Sequence, residues 1–199
     1  MTELDQQLGF VREIGKLKAV LRQTVLADAG RQENSAEHSW HLAMMVLALG
    51  EHAPPGADLG RVMAMVLIHD LVEIDAGDLF LYADQRAHEQ QDRAERAAAD
   101  RIFAILPPGQ GRELRALWDE FNARRTPDAR FARALDRLQP MLENVAVGGG
   151  TWQRHGITAD QVLDKVTLIE DGSAALGAYA RTLIAQAVAT GILAERAAS

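Results

Sequence analysis

The chain has 199 residues, 48% of them hydrophobic and 25% charged, an ordinary composition for one globular domain with a core that needs no staples. It contains no cysteine, which excludes a disulfide framework, a thiolate nucleophile, iron–sulfur clusters and every cysteine-ligated zinc site. Lys plus Arg number 21 against 28 Asp plus Glu, and the resulting formal charge of −7 excludes the basic footprint of a nucleic-acid polymer binder.

The first ten residues, Met1 to Phe10, are polar and acidic, unlike a secretory signal. No apolar run approaches the roughly 18 residues of a membrane span. A cytoplasmic protein with no membrane partner is the expectation.

Nearly everything else reads at helical period. Leu8, Val11, Ile14, Leu17, Leu21 and Val25 predict a helix from Leu8 to Leu26, followed by a loop around Asp28-Ala29-Gly30. Asn34 and Ser35 are placed to cap a helix from Ala36 to Leu49, which Pro54-Pro55-Gly56 closes off. Leu59 to Ala76 is apolar on most faces and predicts a central helix that stops at Gly77-Asp78. Helices are further expected at Ala87–Leu106, Arg112–Arg124 and Ala129–Val147. Gly148-Gly149-Gly150 makes a flexible joint, and Trp152–His155 reads as a loop. Helices at Ala159–Ile169 and Ser173–Arg196 complete the chain. With no period-2 strand and no repeat, the fold class is all-α. One helical bundle over residues 1–199 is expected, its functional core at about 17–147 and its last helices at 159–196 packed on it.

The chemistry concentrates in the central helix. His69, Asp70 and Glu73 fall on neighbouring parts of one helical surface, flanked by Met65-Val66-Leu67-Ile68 and Leu71-Val72. Burying an unpaired ion costs several kcal/mol, so these groups need an arginine partner, solvent or a divalent cation. A second histidine group, His38 and His41, opens the preceding helix, and periodicity does not decide which of the two points inward. Nitrogen and oxygen ligands together suit Mn, Fe, Co, Ni or Zn better than calcium. Asp136, between Leu135 and Leu138, is the candidate fourth ligand, with pairing to Arg133 or Arg137 the alternative. His52 and His88 read as surface residues, Trp118 and Phe121 as core, and Tyr82 and Asp84 as lining a pocket mouth.

The series His38, His69-Asp70 and Asp136 resembles the H…HD…D signature of the HD-domain metal-dependent phosphohydrolases. Glu33-Asn34-Ser35-Ala36-Glu37-His38-Ser39 and His69-Asp70-Leu71-Val72-Glu73 with Gly77-Asp78 are similar to the branch that contains the 5′-deoxynucleotidases. Leu117-Trp118-Asp119-Glu120-Phe121 and Ala134-Leu135-Asp136-Arg137 match that branch too. The resemblance implies that His38, His69, Asp70 and Asp136 hold one divalent transition metal (Mn, Co, Fe, Ni or Zn, with Mg also admitted). It places Glu73 and Asp78 beside the attacking water and Arg22 on the substrate phosphate; apart from the resemblance, Arg31 is a candidate second forked donor to the dianion. The implied reaction is removal of the 5′-phosphate from a (deoxy)nucleoside monophosphate, and a homodimer is implied as well. The alanine-rich faces of Ala87–Leu106 and Ser173–Arg196 offer a seam for it, or simply intramolecular packing. Gln23 departs from the tryptophan that some relatives carry after the arginine, which bears on sugar selectivity. The alternatives are a cyclic or polyphosphorylated nucleotide as substrate, or a non-catalytic helical interaction module.

Overall fold

The computed structural model describes residues 2–27 and 30–195. Met1, the Asp28-Ala29 part of the expected loop and Arg196, the expected end of the last helix, lie outside the described residues.

The first helix, α1 (Glu3–Ile14), opens on a capping box in which Thr2 and Asp5 satisfy each other's backbone N–H groups. It is shorter than expected. After a tight 3-10 turn at Gly15–Ala19 the chain becomes a strand, β1 (Leu21–Val25), paired antiparallel with β2 (Gln32–Asn34). The register runs Leu21 opposite Asn34 and Val25 opposite Gln32, with an irregularity between. The expected helix through Leu26 is therefore corrected over its second half. Arg22 and Thr24 point inward from β1 and Glu33 from β2, so this small ribbon delivers polar groups to the interior.

Helix α2 (Ser35–Leu49) begins where its cap predicts. Asn34 accepts from the N–H groups of Ala36 and Glu37, and Glu37 reaches back to the Asn34 N–H. The expected central helix divides in two, α3 (Leu59–Ile68) and the short α4 (Glu73–Ala76). Between them Leu71 N–H bonds Ile68 O and Glu73 N–H bonds Asp70 O, a tighter turn than an α-helix makes. The freed His69 carbonyl accepts instead from the Trp118 indole N–H at 3.1 Å.

Next come α5 (Gln85–Phe103), capped by Asp84, and α6 (Pro108–Ala123). Helix α7 (Pro127–Ala146) follows, capped by Thr126 with Pro127 in its first turn. Gly148 and Gly149 make a turn with positive φ, and Gly150 opens a short helix, α8 (Gly150–Arg154), in place of the expected Trp152–His155 loop. Helices α9 (Ala159–Gly172) and α10 (Ala174–Ala189) close the bundle, the latter ending well before Arg196.

Two apolar clusters make the core. The larger joins α2, α3, α7, α9 and α10 through residues such as Leu42, Met65, Leu135, Ile169 and Ile184. The smaller joins α1, the His69–Val72 turn, α5 and α6 through Phe10, Leu71, Ile102 and Trp118. Of the alanines on the two faces expected as a seam, Ala98 and Ala99 pack into the smaller cluster and Ala180 and Ala187 into the larger, while Ala94, Ala97, Ala178 and Ala185 are exposed. Among the described residues no helix is long and apolar enough to cross a membrane.

Candidate metal centre and its cavity

His38, His69 and Asp136 meet where the two clusters adjoin, each offering a ligand atom within 4.8 Å of the others. Each comes from a different element. His38 sits in the first turn of α2, held there by the Asn34 cap, His69 ends α3, and Asp136 lies midway along α7. Asp136 Oδ1 is 3.1 Å from His38 Nε2 and 3.6 Å from His69 Nε2. Asp70 borders the group, its Oδ1 2.9 Å from His69 Nε2. Pro140 follows Asp136 by four residues and has no N–H to give that helical carbonyl.

The donor set suits a cation. His69 Nε2 is buried and has no hydrogen-bond partner, although it faces two carboxylates. Both arginine partnerships read as alternatives to a metal are also present. Arg22 Nη1 bonds Asp70 Oδ2 at 2.9 Å, and Arg133 Nη1 bonds Asp136 Oδ2 at 3.0 Å, with Arg137 3.7 Å from the same oxygen. In each carboxylate the arginines hold Oδ2 and the imidazoles face Oδ1. Arginine pairing and a cation site are therefore compatible.

The field of these groups shifts every titration in the cluster. Burial works against an imidazolium at His69, but Asp70 and Asp136 overcome it and push the group up to about 10. His38, wholly buried and facing the Arg22 charge, is held down to about 4. Burial also opposes ionisation of Asp70 and Asp136, yet His69 and Arg22 hold Asp70, and Arg137 and the two histidines hold Asp136, below the usual carboxylate range. Burial and the neighbouring Asp70 charge raise Glu73, while burial raises Asp78 to about 6. Such opposed shifts within one cluster are typical of working sites.

A cavity of about 910 Å³ opens onto this cluster. Arg22, Glu73 and Asp78 line it together with His69, Asp70 and Asp136, so seven of the eight residues singled out for the site, His38 included, come together here. Glu73 Oε2 accepts a 2.6 Å hydrogen bond from Ser35 Oγ. Asp78 lies 3.8 Å from Arg22 Nη1 and accepts from the Gln23 backbone N–H. Gln23, Tyr82 and His88 also line the cavity, whereas Asp84 serves as a helix cap. Arg31 is the exception. It is half-exposed, clamps Glu37 through both terminal guanidinium nitrogens, and does not line the cavity.

Two polar residues at the site were given no role from the sequence, although Glu33 opens the motif that ends at Ser39. Glu33 and Gln139 are fully buried behind His38. Gln139 lies three residues after Asp136, on the same face of α7, and that spacing is the only local signal it carries. His41, left open as a rival to His38, is half-exposed and 3.3 Å from the Gln139 amide nitrogen.

The family model of the HD domain matches residues 14–176, most of the chain. The chain belongs to the HD domain family. The domain includes every residue of the cluster and both walls of the cavity described above. Among curated relatives of this HD domain, human 5′-deoxynucleotidase HDDC2 is 29% identical over 137 residues, 68% of this chain and 65% of its own length. The Xenopus laevis protein of the same name is 30% identical over 68% of this chain and 66% of its own. The chain thus spans about two thirds of the length of these relatives. A solved structure described as a predicted metal-dependent phosphohydrolase, from Magnetospirillum magnetotacticum MS-1, is 53% identical, covers 96% of both chains and superposes with a TM-score of 0.93. A Listeria innocua HD-domain phosphohydrolase, at 16% identity and a TM-score of 0.67, shares the fold.

Proposed function

We propose that this HD domain removes the 5′-phosphate from (deoxy)nucleoside monophosphates, with one divalent transition metal held by His38, His69, Asp70 and Asp136. That it is a hydrolase of phosphate esters follows from its family and from the two sets of relatives. The observation that carries the finer reading is the convergence of the buried His-His-Asp group, Glu73, Asp78 and Arg22 on one cavity.

When bound, the metal supplies a polarised phosphoryl oxygen and a water whose pKa falls toward about 7. The remaining work belongs to the chain. Glu73, fixed by the Ser35 hydroxyl, takes the proton of the attacking water, and burial together with the Asp70 charge strengthens its hold on that proton. Asp78, pushed up to about 6, is protonated often enough to donate to the departing 5′-oxygen. Arg22 presents its fork to the phosphate dianion from β1. Gln23, beside it on the cavity wall, faces the sugar with an amide instead of an indole, which admits a ribose hydroxyl.

The homodimer belongs to the same reading. Trp40, Met44 and Leu47 recur at i, i+4 and i+7 on α2 and are exposed, which supports an interface there.

The test is phosphate release from a panel of nucleoside 5′-monophosphates with Mn, Co, Ni, Zn and Mg, beside His69→Ala. Hydrolysis that needs added metal and vanishes in the variant is expected. Equal rates with and without metal would overturn the reading.

A further inference from the structure

Gln139 is a fully buried amide, and a polar group at that depth is costly unless its hydrogen bonds compensate, so its bonds must account for it. Its Nε2 lies 3.0 Å from Glu33 Oε1 and 3.3 Å from His41 Nδ1, and its Oε1 lies 3.1 Å from His38 Nδ1. An amide has two donors on nitrogen and only acceptors on oxygen. Rotating it by half a turn would set its oxygen against the Glu33 carboxylate, so Glu33 decides which end faces His38. With the oxygen there, His38 Nδ1 must carry the proton. A neutral imidazole then has a bare lone pair at Nε2, and that atom points at Asp136 Oδ1. Two acceptors facing each other at 3.1 Å are what a cation site requires.

We propose that Gln139 is a positioning residue: locked by Glu33, it holds His38 in the Nδ1–H form and makes Nε2 its metal-binding atom. This rests on the metal reading given above. At His69 the ring is oriented by other means: its Nδ1 donates to the Val66 carbonyl at 2.9 Å, which turns Nε2 toward the carboxylates. A main-chain acceptor comes with the helix, whereas the acceptor for His38 had to be built from a side chain on another helix and braced from a strand. The brace extends further. The second Glu33 oxygen lies 3.4 Å from Arg22 Nε, and neither atom has a hydrogen-bond partner. Glu33 therefore stands between the positioning of a metal ligand and the guanidinium assigned to the phosphate.

The experiment reads the tautomer and the metal separately from turnover. In apo protein with ¹⁵N-labelled histidine, long-range ¹H–¹⁵N correlation spectra are expected to show His38 as Nδ1–H. Gln139→Met keeps the volume and removes both donor and acceptor. It is expected to shift His38 toward Nε2–H and to weaken Co(II) binding, titrated against a chelator, by roughly 10- to 100-fold. Glu33→Gln removes the brace alone and is expected to produce a loss in the lower part of that range. A Gln139 that merely supports the fold would lower the melting temperature of Gln139→Met while leaving the His38 tautomer and Co(II) affinity as in wild type. That result overturns the proposal. Should Gln139→Met not fold, an unchanged tautomer and affinity in Glu33→Gln overturns it equally. Wild-type protein that takes up no Co(II) would defeat the metal reading, and the His38 tautomer in the two variants would still decide the role of Gln139.

Discussion

Arg22→Met removes the cation at the centre of the cluster while keeping most of the side-chain volume. Arg22 is 10% exposed and sits 2.9 Å from Asp70, 3.4 Å from Glu33 and 3.8 Å from Asp78. Burial alone would disfavour its charge, but Asp70, Glu73 and Asp78 more than compensate and raise its pKa. Deleting one partner of a buried ion pair costs about 3–5 kcal/mol, because the other charge is left unpaired. In a chain of this size each kcal/mol moves Tm by about 2–4 °C, so a fall of roughly 6–20 °C is expected. Thermal melts followed by circular dichroism in EDTA measure it. Repeating them with saturating Mn(II) should narrow the gap between variant and wild type, since a bound dication neutralises the same carboxylates. Lost packing would give a gap indifferent to metal. A fall of less than about 2 °C in EDTA, well below the magnitude argued from the pair, would refute the electrostatic account.

Glu73→Gln keeps the hydrogen-bonding shape beside Ser35 and removes the base, so kcat should fall by roughly 10²–10⁴ while bound metal, measured by elemental analysis, stays at the wild-type level. Arg31→Ala should leave KM for a nucleoside monophosphate unchanged in a phosphate-release assay, because Arg31 is bonded to Glu37 and stands outside the cavity. Burial raises Tyr82 from 10.0 to about 12, against a smaller opposing bond with Trp152. The unfolded chain loses this proton first, so the stability it contributes is complete below pH 10 and is lost as pH rises toward 12. At 1.36 kcal/mol per unit the loss amounts to about 2–3 kcal/mol. Urea titrations across that window should show a flatter decline for Tyr82→Phe.

The helix caps were legible because they are local chemistry. Asn34 announces α2 where that helix begins, whereas Thr126 and Pro127 cap and open α7 two residues before the start expected at Ala129. The ribbon was not legible. Its inward positions hold Arg22, Thr24 and Glu33, so the alternation that marks a half-buried strand has no apolar member. The break after Ile68 was hidden for the opposite reason, since Leu71 and Val72 continue the apolar run without interruption. What ends the helix there is an indole from α6 taking the His69 carbonyl, a partner 49 residues away. The ligand candidates could be found from residue type and order, and the family resemblance picks His38 over His41. The physical reason, the rotation of α2 that buries His38 and leaves His41 half-exposed, was not legible in the periodicity. Glu33 and Gln139 are 106 residues apart, and neither has any purpose until β2 and α7 are packed together.

The acidity of the chain, a mere solubility figure in its composition, becomes a constraint at the site. Glu33, Asp70, Glu73, Asp78 and Asp136 are gathered around the ligand group, against Arg22, Arg133 and Arg137. A phosphate dianion beside that group would face five carboxylates against three guanidinium groups. Arg22 already pairs with Asp70 Oδ2, so much of its charge is offset within the cluster. On the proposed function, a cation facing Asp70 Oδ1 would leave that pair in place, because imidazoles and arginines take different oxygens, and would supply the positive charge that the arginines do not. Cation and phosphate would then favour each other's binding through charge.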